Sequence, residues 1–342
     1  FFYYMDVQKR LELIKRNTEE IVSEEELVKL LKEKKKPVVY LGTAITGRPH
    51  IGYYMWVLKL GDFLKAGFKV KILLADLHGA LDNTPWETLE KRYDYYKEII
   101  PLMFKSIGVD TKDLEFVKGS EFQLKPEYMY DVLKMSTFNS INDCKRAASE
   151  VVKFGDNPKL SGLIYPIMQA LDEVYLEVDV QYGGIDQRKI LMFARENLPK
   201  IGYDAKVEVM TSLIPGLIGK KMSASDVKSK IDLLDDENSV KDKINKAECV
   251  SGDVDNGLLP FIKYIIMTLK KDSKSSFVIK RDKKYGGNLV YHNYEDLEKD
   301  FKNKKVHPLD LKNALSDEIN ELLSIFRKNK PKLNKLSESA YD

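Results

Sequence analysis

From Pro37 to Thr211 the chain alternates short apolar runs with amphipathic stretches of helical period. That alternation constrains the fold more than any other feature. It demands an α/β arrangement, a parallel sheet with helices on both faces. The spacing predicts strands over 38–42, 69–75, 114–117, 178–182 and 206–210. Between them it predicts helices over 50–66, 86–108 and 161–176, one opening near Asp186, and a helical insertion over 125–153. Residues 6–36 read as two helices, the second opened by a capping box of Ser23 and Glu26 and stopped by Pro37. A long loop spans 211–230. Beyond it helical patterns dominate, with a hairpin over Ser275–Tyr291 turning at Gly286–Gly287. The expected division is N-terminal helices over 1–36, an α/β unit over 37–234 with its insertion at about 120–155, and a mostly helical unit over 235–342.

The bulk properties exclude several classes. With 342 residues, 43% hydrophobic and 32% charged, the chain has material for a large core. No apolar run is long enough to span a bilayer, and Phe1–Tyr4 ahead of Met5 do not make a secretory signal. Cys144 and Cys249 lie far apart with no Cys or His at metal-ligand spacing. Free thiols in a reducing, cytoplasmic setting are expected, with no zinc site. A net charge of +3 does not by itself argue for nucleic acid. The basic groups at Arg327–Lys335 and at Lys302, Lys304 and Lys305 read either as solvated surface or as a local nucleic-acid footprint.

Four stretches carry candidate chemistry. The first, Val38–Gly52, ends an apolar strand in Gly42-Thr43 and opens a helix near Pro49. A helix N-terminus offers unpaired N–H groups and a positive dipole to a polyphosphate, with His50 and Gly52 beside it. The same turn serves equally as a tight strand–helix connection. It is neither a P-loop nor Gly-x-Gly-x-x-Gly. The second, Tyr165, Gln169 and Asp172, shares one helix face at i, i+4, i+7, which points into a polar cavity or into water. The third, Gln181–Gln187, sets paired glycines before Asp186, a residue suited to ribose hydroxyls or to capping a helix. The fourth, Gly219–Ser225, places Lys220 and Lys221 beside Ser223 and Ser225, as a transient phosphate site or an ordinary basic loop. Asp76-Leu77-His78 follows another strand end at the same predicted crevice.

In this order, these segments resemble the tyrosyl-tRNA synthetases of the eukaryotic and archaeal type, class I aminoacyl-tRNA synthetases. The two signature motifs are matched by Pro49-His50-Ile51-Gly52-Tyr53 and Lys221-Met222-Ser223-Ala224-Ser225. Tyr53 stands where the first motif usually has histidine or a small polar residue, and Ala224 where the second usually has lysine. The resemblance implies a Rossmann-like catalytic domain followed by an anticodon-binding domain. It implies activation of L-tyrosine by ATP, with Mg²⁺ accompanying the nucleotide and no other cofactor, and transfer to tRNA(Tyr). His50, Gly52, Lys220, Lys221, Ser223 and Ser225 would carry the catalytic roles. Gly42, Thr43, Gly184 and Asp186 would join His50, Gly52 and Lys221 around ATP. Tyr40, Tyr165, Gln169, Asp172 and Gln187 would hold tyrosine. Lys145, Arg146, Tyr285, His307 and Asp310 would meet tRNA. A homodimer formed through the insertion is implied as well.

Overall fold

The computed structural model describes residues 6–216 and 230–341. Its centre is a sheet of strands β1 (Glu20–Val22), β2 (Val38–Ala44), β3 (Lys69–Ala75), β4 (Leu114–Lys118), β5 (Val180–Gly184) and β6 (Val207–Thr211), in the spatial order β1-β6-β5-β2-β3-β4. All neighbours run parallel except β1, which pairs antiparallel with β6, Glu20 opposite Met210. The five strands expected from periodicity are present. β1 is the addition: three residues are too few to show an alternation, and it interrupts the segment read as two helices.

Period-two alternation splits each central strand between two cores. Val39 and Leu41 of β2, with Val70, Ile72 and Leu74 of β3, face one apolar cluster. Helices Val7–Lys15, Tyr54–Lys65 and Leu89–Ser106 cover that side. Tyr40, Leu73 and Ala75 face the other, beneath helices Leu160–Tyr175 and Arg188–Asn197. Each fully buried aromatic of these layers, such as Phe63 or Phe104, contributes about 1.5–3 kcal/mol relative to exposure.

The chain leaves β2 towards β3 and β4, then returns to build β5 and β6 on β2's other flank. β2 and β5 are therefore the strands between which the winding direction reverses. In such sheets the carboxyl ends on either side of that point open a crevice for ligands. The insertion forms helices Pro126–Ser136 and Ile141–Ala148, the latter opened by a reciprocal capping box of Ser140 and Asp143.

The later part of the chain is mostly helical, with the expected hairpin as β7 (Phe277–Ile279) and β8 (Leu289–Tyr291). Gly286 and Gly287 sit at φ 91° and 76°, backbone that glycine adopts without a Cβ penalty. Two struts tie this part to the sheet's helices. Arg16 pairs with both Asp62 and Asp272. Helix Lys330–Tyr341 packs along Leu89–Ser106, and there Arg92 lies 4.8 Å from the Tyr341 ring centre.

Candidate active site

At the β2/β5 crevice lies a cavity of about 420 Å³. Tyr40, Gly42 and Thr43 reach it from β2, His50 and Gly52 from the following turn, and Gly184 from β5. Tyr165, Gln169 and Asp172 enter from helix Leu160–Tyr175, and Asp186 and Gln187 from the turn after β5. Residues spread over 148 positions of sequence are thus brought to one wall-to-wall site (from Tyr40 to Gln187). The polar helix stripe points into a cavity rather than into water.

The floor is built around Asp172, which is 1% exposed. Its Oδ1 accepts from Gln123 Nε2 at 2.7 Å and from the Tyr128 hydroxyl at 2.9 Å. Burial pushes the carboxyl up to about 8, while those two donors pull it back toward the ionised form. His78 Nε2 stands 3.8 Å from Oδ2, and burial lowers the His78 ring to about 4. The Tyr40 hydroxyl, fully buried, donates to the Gln169 carbonyl at 3.3 Å. Higher on the wall, Gln169 Nε2 donates to Gln187 Oε1 at 3.0 Å. This leaves Gln169 Oε1 as an acceptor suited to an ammonium group.

The rim has a different chemistry. His50 Nδ1 accepts the Gly52 N–H at 3.2 Å, so the neutral ring carries its proton on Nε2. Burial, aided by the positive charge of Lys230, lowers His50 to about 3, which keeps the ring neutral. The turn ahead of it is held from outside: Gly47 O accepts from Tyr96 and, at 3.0 Å, from Tyr341. Gly184 has no room for a side chain, since a Cβ there would lie 2.5 Å from Asp186 Oδ1. The cavity thus joins a floor built on a buried, hydrogen-bonded carboxylate to a rim that carries the neutral His50 ring, Lys230 close by and the Asp186 carboxylate.

A profile of the tRNA synthetases class I (W and Y) matches residues 32–324. The chain belongs to the class I tRNA synthetases (W and Y). Across 98% of its length this synthetase is 48% identical to the cytoplasmic tyrosine–tRNA ligase of Gallus gallus and 41% identical to the tyrosine–tRNA ligase of Haloarcula marismortui. It spans 63% of the first of these curated relatives and 98% of the second. The tyrosyl-tRNA synthetase of Archaeoglobus fulgidus, solved with L-tyrosine, superposes with a TM-score of 0.87 at 42% identity, covering 94% of this chain and 99% of that one.

Within the synthetase, three residues of the site escaped the sequence reading. Gln123 and Tyr128 hold Asp172 from the segment after β4, and only the requirement that a buried carboxylate find donors points to them. Lys230 is the third. Ile51 donates to Ile231 O at 3.0 Å, and His50 bridges to Asp232, so the chain after residue 229 docks on the signature turn and carries Lys230 to His50. Lys220, Lys221, Ser223 and Ser225 lie outside the described residues. The residues expected to meet tRNA do not line the cavity. Lys145 and Arg146 are exposed on helix Ile141–Ala148, and Arg146 pairs with Asp143 at 3.1 Å. Tyr285 is 64% exposed on the β7–β8 connection. His307 is exposed and caps helix Pro308–Lys328, its Nδ1 accepting the Leu309 N–H at 3.2 Å, with Asp310 in the first turn.

Proposed function

We propose that this chain is a cytoplasmic tyrosine–tRNA ligase, acting as a homodimer on L-tyrosine, ATP and tRNA(Tyr). The observation that carries the reading is the floor of the cavity. Asp172, fixed by Gln123 and Tyr128 beside the Tyr40 hydroxyl, offers both an acceptor and a hydroxyl to a phenol, whereas an indole has only one donor to give. A site built to hydrogen-bond a hydroxyl rejects the analogue lacking it, because its own polar groups are then left unpaired. The relatives named as tyrosine–tRNA ligases support the same substrate.

In the first step the tyrosine carboxylate attacks the α-phosphorus of ATP. The new O–P bond forms as the bridging P–O bond to the β-phosphate breaks, and pyrophosphate leaves. The carboxylate is already a nucleophile, so positioning and charge stabilisation are what the site supplies. Tyr165, Gln169 and Gln187 hold the ammonium group. Neutral His50 donates from Nε2 to a phosphate oxygen, and Lys230 adds positive charge beside it. Gly42, Thr43 and Gly52 let the nucleotide lie against backbone, and Asp186 accepts the ribose hydroxyls. Asp186 and Glu150 are carboxylates that line the cavity, and with Asp186 assigned to the ribose Mg²⁺ would be held chiefly through the nucleotide's phosphates. Lys220, Lys221, Ser223 and Ser225 are proposed to complete the pyrophosphate contacts. In the second step a 3′-terminal ribose hydroxyl of tRNA attacks the acyl carbon, and AMP leaves.

The helical unit over 235–342 is read as the anticodon-binding domain. Tyr285 and His307 stack on a splayed base and Asp310 meets its edge, as single-stranded RNA is commonly read. Lys145 and Arg146 meet the acceptor stem. The test is charging of a tRNA(Tyr) transcript. Tyrosyl-tRNA should accumulate with tyrosine and ATP, and tryptophan should give none. Charging with tryptophan instead would reassign the pocket.

A further inference from the structure

A row of polar side chains runs across the sheet behind the tyrosine pocket. Tyr40 of β2 is in register with Gln181 of β5, and Gln181 with Glu208 of β6. Residues in register on adjacent parallel strands project to the same face, about 4.8 Å apart. Glu173, next to Asp172 on helix Leu160–Tyr175, belongs to the helix covering that face. Glu173 and Glu208 are both 0% exposed and Gln181 is 1% exposed.

These groups are acceptors without donors. Neither oxygen of Glu173, neither oxygen of Glu208, nor Gln181 Oε1 has a hydrogen-bond partner among the described residues. Buried carboxylates in that state are costly, and two of them side by side do not both ionise. Burial drives both carboxyls well above the ordinary glutamate range, and each is pushed further by a neighbouring acid, Glu173 on Glu208 and Asp172 on Glu173. The surrounding charges do not reverse this. Arg195 acts on both acids and Lys206 on Glu173, but Arg195 is engaged by Glu26 at 3.0 Å, and Glu26 itself repels Glu208. Tyr40 feels Asp172, Glu173 and Glu208 in turn.

We infer that Glu173 and Glu208 are positioning residues for the tyrosine site, a carboxyl pair that retains protons and shares them with Gln181 Oε1, so that no second negative charge opposes ionisation of Asp172 on the pocket floor. Carboxylic O–H groups supply donors to the buried oxygens that have none. Keeping the pair neutral lets Asp172 ionise and accept the substrate's hydroxyl. Charge on the pair drives a proton onto Asp172 and removes that acceptor. The functional half of this inference rests on the tyrosine-pocket reading, and the physical half does not.

The test uses the full chain and the Glu208→Gln variant, which keeps shape and hydrogen bonding but cannot ionise. Infrared difference spectra at pH 7 should show the carbonyl stretch of a protonated carboxylic acid in the native protein, diminished in the variant. In tyrosine-dependent pyrophosphate exchange, the ratio of tyrosine KM at pH 9 to that at pH 7 should be at least three-fold larger for the native protein than for the variant. Ionisation of substrate tyrosine is common to both and cancels. Equal KM ratios overturn the positioning role, and an unchanged infrared band overturns the protonated pair. Where Glu208→Gln does not fold, Glu173→Gln gives the same readouts. Absence of any tyrosine-dependent exchange defeats the pocket reading alone, because the infrared arm needs no substrate.

Discussion

At the scale of single residues, the site works by holding groups in the charge state that each task needs. Asp172 is the sharpest case, a buried carboxyl raised by desolvation and drawn back by two donors. Hydrogen bonds to charged groups are worth about 1.5–3 kcal/mol. Asp172→Asn should therefore lower kcat/KM for tyrosine by about ten- to a hundred-fold while leaving KM for ATP within about two-fold. Steady-state exchange kinetics with each substrate varied in turn check this. The two buried histidines give a stability signature. His78 is held near 4 against an ordinary 6.5, so the unfolded chain takes up a proton that the native state refuses. Its contribution is present above pH 6.5 and is lost as pH falls towards 4, by at most about 3 kcal/mol. Denaturant melts over pH 4–7 should show a smaller acid loss in His78→Gln than in the native protein.

At the scale of elements, sequence periodicity located the strands because each central strand divides its side chains between two apolar layers, as Val39 and Leu41 against Tyr40 illustrate. It passed over β1, whose three residues owe their strand conformation to pairing with β6. The helix stripe of Tyr165, Gln169 and Asp172 was legible as a spacing, but its direction was not, since water and a cavity suit the same three side chains. Gln123, Tyr128 and Lys230 were not legible at all. Each reaches the site through a connection whose path depends on tertiary packing, and nothing in their local sequence marks them. His307 shows the converse problem, with one residue fitting two roles. It caps the helix Pro308–Lys328 through Nδ1 and leaves its ring exposed. Asparagine preserves a cap worth about 1 kcal/mol but cannot stack as an imidazole does. His307→Asn should therefore keep the melting temperature and the pyrophosphate exchange rate while aminoacylation falls. Full aminoacylation by this variant would reduce His307 to a capping residue.

At the scale of the whole molecule, the insertion leaves large apolar side chains in solvent. Leu124, Tyr130, Leu133, Phe138 and Ile141 range from 50% exposed for Phe138 to 71% for Ile141. Exposed apolar side chains gathered on one insertion suit the proposed dimer, in which a two-fold axis lets the same surface cover its own copy. Sedimentation should give the mass of two 39.4 kDa chains, and Leu133→Glu with Phe138→Glu should give one. A monomeric native protein would contradict the proposed dimer. The struts at Arg16 and Tyr341 tie the helical C-terminal part to helix Tyr54–Lys65 and to the signature turn.

The central claim is that this cavity activates tyrosine and selects it by its hydroxyl. Amino-acid-dependent exchange of labelled pyrophosphate into ATP, without tRNA, tests it most directly. Exchange should be supported by tyrosine and be negligible with phenylalanine or tryptophan at the same concentration. Exchange with tryptophan, or none with tyrosine, would contradict the assignment of Tyr40 and Asp172 as the groups that choose the substrate.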